Sequence, residues 1–485
     1  MREDLGHNPY QSASERPNGN GESGGDASVT AAVPDAEGGK NAEGREGLGT
    51  VSLTMLVIAS MIGAGVYTTS GFALADLGDP WWVMAAWCIG GAIALCGAVG
   101  YGLLARRLTE NGGEYLYLSR FVHPAVGVIA GWVSILAGFT SAGAYAAVAF
   151  DTYALPQTSR PGWLPDGLLA AGLVLCATWL HAWHTGRGAR RQNGVVIVKL
   201  ALLTLFIAFC FARLDAWQGT TEVAPVTTDS RDYFGPPGGW LALATSVMWI
   251  SLSYSGFNAA IYVAAEARGG GANVARAMIG ATAIVTGIYL LLNAIFLFAP
   301  PSAEASGRQD IAAVAAAAVG GDRLTLLVRV TICVGLASSV SSVLMAGPRV
   351  YAKMSQQGGF PSFFRTDRSP PTRSVLLQGA AILVVIYVAT LRGLLSYLGL
   401  TLAVTAAATV ATLFLPDREE SSQNAGWARR PTFTAFHVLA AVYVLATFGI
   451  ASLAAYNKPL EAIAAGVTFA VGGMAYLIHR VRRAK

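Results

Sequence analysis

From about residue 48 to the C-terminus, long apolar runs alternate with short polar connections. About twelve of these runs lie near the ~20 residues that a helix needs to cross the hydrocarbon core of a bilayer. Their approximate limits are 48–75, 81–104, 120–155, 164–184, 193–214, 240–266, 275–299, 322–356, 374–391, 394–415, 432–455 and 459–480. The third and eighth are long enough to tilt strongly or to project from the membrane. Residues 1–46 break the pattern. Rich in Gly, Ser, Asn and Glu, they cannot bury enough apolar surface to offset their conformational entropy, and a disordered cytoplasmic tail is expected there. The pattern therefore predicts an all-α integral membrane protein.

Two of the runs are interrupted. In the first, Ile58-Ala59-Ser60-Met61-Ile62-Gly63-Ala64-Gly65-Val66-Tyr67 places small residues where bulky aliphatics would pack. In the sixth, Ser253-Tyr254-Ser255-Gly256 does the same. A helix broken inside a bilayer frees N–H and C=O groups that lipid cannot satisfy, so the break must line a cavity or be buried in protein. Spans one to five (48–214) and six to ten (240–415) form two units of similar length, with the interrupted span first in each and 432–480 left over. An odd number of spans per unit sets the two units in opposite orientations. A matched pair of Gly-interrupted segments marks a transporter's central site.

The chemistry expected at the breaks is that of a main chain. The N–H groups near Ala64, Gly65 and Val66 sit at the positive end of a following half-helix and attract a carboxylate. Carbonyls near Met61, Leu252 and Ser255 suit an ammonium, so Met61, Ile62, Gly63, Ala64, Gly65, Val66, Leu252, Tyr254, Ser255 and Gly256 are the candidate substrate-binding residues. A packing face for a neighbouring helix is the other reading of Gly63-Ala64-Gly65. Lys199 lies in the fifth run between Val198 and Leu200. It is either an interior, proton-carrying group or a side chain reaching back to the interface. Ser338, Ser339, Ser341 and Ser342 in the eighth run either face the first span or pack helices, and Ser338, Ser341 and Ser342 join Lys199 as candidate coupling residues. Glu266 suits an inner gate or a pair with a loop arginine. Asp151 is placed at the outer end of span three, and His181 and His184 read as interfacial.

Composition agrees with a membrane chain: 13% of residues are charged and mean hydropathy is +0.49, far from the ~25% charged residues of soluble domains. The net charge of +5 matters less than where it falls. Arg106 and Arg107, Arg187, Arg190 and Arg191, Arg268 and Arg276, Arg365, Arg368 and Arg373, Arg429 and Arg430, and the basic C-terminus lie on one side, while Asp215, Glu222, Asp229 and Asp232 crowd a loop on the other. Cytoplasmic loops are the basic ones, so both termini are expected inside. The five cysteines fall within apolar runs and read as free buried thiols. No spacing points to a metal, a cofactor, a nucleic-acid surface or a catalytic constellation, and no enzyme is expected.

Several motifs, in order, resemble those of amino acid–polyamine–organocation (APC) permeases, and the resemblance covers essentially everything after residue 47. Gly63-Ala64-Gly65-Val66-Tyr67 is similar to their first-span Gly-Ser/Ala-Gly-Ile-Phe. Leu252-Ser253-Tyr254-Ser255-Gly256-Phe257-Asn258 with Glu266 resembles their sixth-span signature. Asn111-Gly112-Gly113-Glu114-Tyr115 and Gly347-Pro348-Arg349-Val350-Tyr351 through Gln357-Gly358-Gly359-Phe360-Pro361 resemble the turn before their third span and the end of their eighth. The resemblance implies a LeuT-like five-plus-five inverted repeat with helices 1 and 6 unwound and two further helices. It implies α-amino acid transport by alternating access, main-chain binding at Met61, Ala64, Gly65, Leu252 and Ser255, and that Lys199 occupies the fifth-span lysine position, which in some family members stands where related transporters hold sodium and takes part in proton coupling. The sequence departs from the pattern at Leu252, where L-type transporters carry a Phe gate, and at Phe257, which replaces a Trp. The outer loop Leu155–Pro165 has no cysteine, so no disulfide-linked heavy chain is expected. The expectation is a sodium-independent carrier of a neutral amino acid in a bacterial inner membrane; an exchanger of the same fold and a transport-inactive sensor or scaffold are the alternatives.

Overall fold

The computed structural model describes residues 47–110, 113–156, 159–183, 188–217, 235–356, 360–366, 371–416 and 434–483. The tail 1–46 lies outside them, as do Asn111, Gly112, His184, Arg187, Glu222, Asp229, Asp232, Gln357, Gly358, Gly359, Arg368, Arg429, Arg430 and Lys485. Among the described residues the structure is helical, with one isolated β-bridge, Leu48 to Ala267.

The first run folds as α1 (Thr50–Met61) and α2 (Ala64–Leu77), bent by 42° at the junction. The left-handed cap at Gly78 (φ 74°) ends α2, and α3 (Pro80–Arg107) follows almost at once. Its start is set by Pro80 in the first turn and by the Asp79 carboxylate, which accepts the Trp81 N–H at 2.7 Å. Arg106 and Arg107 sit in its last turn, where the helix dipole favours cations. A short α4 (Gly113–Phe121) leads into the third run, built of α5 (Pro124–Val133), a π-helical stretch (Ser134–Ser141) and α6 (Ala142–Ala154). Then come α7 (Leu168–Trp183), α8 (Gly188–Ala212) and α9 (Gly239–Ser253).

The second interrupted run leaves α9 through a turn and continues as a 3₁₀ segment, Ala259–Glu266. After it stand α10 (Gly270–Phe298), α11 (Ser302–Ala305), α12 (Ile311–Gln356, kinked at Gly321), α13 (Thr372–Val388), α14 (Leu391–Ala411), α15 (Ala435–Asn457) and α16 (Pro459–Arg483). The kink at Gly321 falls where the sequence puts the start of span eight.

Among the described residues, seven helices are long and apolar enough to cross a membrane, or eight with the bent pair α1–α2 as one span. Four apolar helices are shorter: Leu168–Trp183, Ile197–Ala212, Gly239–Ser253 and Thr372–Val388. The chain is an integral membrane protein. Large side chains such as Val388, Leu445 and Leu460 stand exposed on the outside of the bundle, as they do where the surrounding medium is itself apolar. The core is made by α10 lying along α3 and α1, and by α2 lying against α9. The cysteines are free, but only Cys210 is buried; Cys88 and Cys176 are exposed, on helix faces turned away from the core.

Candidate functional site

The first break is two extended residues, Ile62 (φ −77°, ψ 93°) and Gly63 (φ −128°, ψ −159°). The Ile62 N–H still reaches the Ile58 carbonyl at 3.1 Å, so α1 runs to its end in order. Beyond it, the Met61 and Ile62 carbonyls have lost their helical partners. Side chains from other spans take them: the Tyr289 hydroxyl donates to the Met61 carbonyl at 2.7 Å, and the Lys199 ammonium donates to the Ile62 carbonyl at 2.6 Å. At the start of α2 the N-cap is Gly63, which has no side chain to cap the first-turn N–H groups, including those of Ala64, Gly65 and Val66. A Cβ built on Gly63 meets nothing within 4 Å, so the chain has open space beside it at this point.

The second break is longer. Residues 254–258 form a turn in which the Ser255 N–H takes the Leu252 carbonyl at 2.9 Å and the Ala259 N–H takes that of Gly256 at 3.0 Å. Gly256 has φ 102°, a conformation that side-chain-bearing residues rarely adopt. The expected second half-helix is instead the 3₁₀ segment, itself kinked at Val263 (φ −125°, ψ 23°). Its i→i+3 bonds have poorer geometry, so it offers less of an aligned dipole than α2. The Leu252 carbonyl, expected to receive an amine, is engaged by the turn. That of Ser253 faces the interior and accepts from Tyr289 at 3.1 Å.

The two breaks touch each other through their glycines. A Cβ on Gly65 would lie 2.5 Å from the Ser253 Oγ, and a Cβ on Gly256 would lie 2.7 Å from the Ser60 carbonyl oxygen. Each segment therefore uses a missing side chain to admit the backbone of the other. Hydroxyls add to the seam: Ser253 to Thr69 at 3.1 Å, and Thr68 to Tyr145 of α6 at 2.5 Å. Tyr254 turns away, its hydroxyl donating to the Trp87 carbonyl at 3.3 Å and its ring 5.0 Å from that of Tyr289.

Lys199 is buried, with its stem over Gly335 of α12 and its amine aimed at the first break, not at an interface. Ser341 shares a 2.8 Å hydrogen bond with His181 of α7. Ser339 and Ser342 bond back to the carbonyls of Gly335 and Ser338 on their own helix. Asp151 is buried near the end of α6, where it pairs with Arg160 and accepts the Leu169 N–H.

The broken spans are also tied at both ends. On one side the Leu48 N–H donates to the Glu266 carbonyl at 2.8 Å, and the Arg268 N–H returns to the Leu48 carbonyl at 2.9 Å. On the other side the Gly307 N–H donates to the Gly71 carbonyl at 2.8 Å, the Tyr153 hydroxyl to the Tyr67 carbonyl at 2.6 Å, and Arg392 pairs with Asp76. Near the first of these ends, Glu114 of α4 accepts from the Tyr101 hydroxyl at 2.6 Å and from the Asn258 amide at 3.2 Å. Burial pushes its carboxyl up to about 7, although both hydrogen bonds pull the other way.

Sequence reasoning located the breaks and Lys199 but missed Tyr289, the residue that touches both. Its one signal was a second polar side chain, Asn293, four residues on along the same face of an apolar helix. The described residues hold no cluster of His, Cys, Asp or Glu suited to a metal ion.

The family described as amino acid permease matches residues 48–471, and the chain belongs to it, within the APC superfamily. It is 23% identical to the Asc-type amino acid transporter 1 of Mus musculus over 361 residues, covering 72% of this chain and 66% of that protein. It is 23% identical to the large neutral amino acids transporter small subunit 2 of Homo sapiens over 379 residues, covering 76% and 69%. The b(0,+)-type amino acid transporter 1 of Mus musculus is 23% identical over 273 residues, covering 55% and 54%. The chain thus spans about two thirds of the length of the first of these relatives.

Proposed function

We propose that this amino acid permease is a secondary transporter that moves a neutral α-amino acid by alternating access, holding the ligand's main chain between the two breaks. One observation carries the reading: the Met61 and Ser253 carbonyls, one from each break, lie within hydrogen-bond reach of a single hydroxyl, so one ammonium can reach both. The uncapped N–H groups of α2 are the matching place for the carboxylate. The substrates named for the relatives are amino acids, in keeping with this. The side chains that donate to the freed Met61, Ile62 and Ser253 carbonyls are those of Tyr289 and Lys199, with no carboxylate among them, which favours a neutral substrate over a cationic one.

In this reading the four shorter apolar helices are spans too, completing about twelve with a LeuT-like repeat of 48–214 and 240–415 and two further helices in 432–480. The basic loops face the cytoplasm with both termini, and the membrane is a bacterial inner membrane. Lys199 puts a positive charge on the Ile62 carbonyl, where it substitutes for a cation, so transport is sodium-independent and takes up a proton at this amine. One relative is named a small subunit; with no cysteine in the loop Leu155–Pro165, this chain works without a disulfide-linked partner.

The test is uptake by the purified protein in proteoliposomes across the common amino acids, with and without a pH gradient. Neutral amino acids are expected to enter, with a pH response between about pH 5 and 8 that Lys199→Ala removes. A wild-type pH response in that variant overturns the proton role. Uptake no greater than in protein-free vesicles for every amino acid overturns the transport reading itself.

A further inference from the structure

Tyr289 stands fully buried at the middle of α10, and its hydroxyl reaches the terminal carbonyls of α1 and α9 together. Those carbonyls end two helices, where the backbone dipoles leave negative charge. A phenol has one proton, so it satisfies one of the two oxygens at a time. An ammonium has three protons and a full charge, and serves both at once. The tyrosine is held in place by its surroundings: its ring lies 5.5 Å from Trp87 and 5.0 Å from Tyr254. Its own carbonyl accepts the Asn293 amide at 2.8 Å, and Asn293 in turn accepts the Ser70 hydroxyl of α2. A polar chain thus runs from the half-helix after the first break, through α10, back to both breaks.

We infer that the Tyr289 hydroxyl is a built-in stand-in for the substrate's ammonium, bridging the two breaks in the unloaded carrier and giving up the Met61 and Ser253 carbonyls when an amino acid arrives. The inference rests on the proposed main-chain site. Two consequences follow from competition for the same acceptors. The hydroxyl lowers apparent affinity, because part of the binding energy goes into displacing it. It also lets the unloaded carrier close and return across the membrane, a step that net uptake requires and exchange does not.

Proteoliposomes separate these consequences, with radiolabelled L-leucine as the probe. Tyr289→Phe keeps the ring and removes the proton. It is expected to lower the half-saturating concentration for exchange about three- to tenfold, the weight of one neutral hydrogen bond. At saturating leucine, net uptake into amino-acid-free vesicles should fall at least about fivefold further than exchange into leucine-loaded vesicles does. Tyr289→Met, which also lacks the donor, is expected to behave alike, and leucine should raise the thermal midpoint of either variant more than that of wild type. Equal loss of both modes, no change in either, or a weaker leucine effect on the midpoint overturns the inference. A separate arm tests the site it rests on: in wild type, excess unlabelled L-leucine should inhibit and 4-methylpentanoate, which lacks the amine, should not. Equal inhibition by both removes the ammonium from the site whatever Tyr289 does.

Discussion

The first break is short and open; the second is long and jammed. Between α1 and α2 two extended residues suffice, Gly63 has space beside it, and the freed carbonyls depend on side chains from distant spans. After α9 the chain takes five turn residues, bonds much of its own backbone, and drives Gly256 against the Ser60 carbonyl. The difference separates two tasks that a matched pair of motifs presents as one. The first segment leaves more of its backbone to be bonded by other groups, while the second, apart from the Ser253 carbonyl, packs as a wall against it. Each is anchored by one ionisable side chain: Lys199 on Ile62, and Glu114 through Asn258 at the foot of the second turn.

The sharpest way to break this contrast is Gly256→Val. A side chain there meets both a φ of 102° and an oxygen 2.7 Å away, with strain and overpacking each costing about 1–3 kcal/mol. Uptake should fall to background and the thermal midpoint should drop; normal uptake would show that the second segment yields. Next comes Gly65→Val, whose Cβ would sit 2.5 Å from the Ser253 Oγ. Pushing the breaks apart should weaken amino acid binding at least about tenfold, ~1.4 kcal/mol, measured as the half-saturating concentration for uptake.

A smaller effect tests the anchor of the second break. Glu114 titrates near 4.5 in an unfolded chain and about 7 when folded, because burial disfavours its charge beside Tyr101, Asn258, Tyr262 and Tyr443. The folded protein therefore keeps a proton that the unfolded chain releases. This contribution to stability is present below about pH 4.5 and is lost as pH rises through about 7. Thermal midpoints of the solubilised protein from pH 5 to 8 should fall in wild type and flatten in Glu114→Gln; parallel curves would remove the carboxyl from the account. The smallest change is expected for Gly63→Ala. Its φ and ψ suit any residue and its Cβ would touch nothing, so uptake within about twofold of wild type is predicted. A large loss would mean that ligand fills that space.

The amino-acid sequence carried the positions of both breaks because glycine and small residues inside an apolar run have few other uses. Lys199 was legible for a similar reason, since an amine among Val198, Leu200 and Ala201 must find a partner. Which glycine is crowded was not legible: Gly63 and Gly256 look alike until the opposing chain is in place. Tyr289 hid because a lone tyrosine in a span reads as packing. The span-eight serines hid in the opposite way, as Ser339 and Ser342 spend their hydroxyls on the carbonyl four residues back. Glu114 read only as part of a turn, since its two partners come from α3 and from the far side of the second break.

The pairing of Leu48 with Ala267 has one more implication. Two main-chain bonds join the lead-in to α1 with the exit of the 3₁₀ segment, so this fastening is indifferent to which side chains flank it. Substitution can wander there without loosening it, and proline at 48, lacking the donor, is the exception.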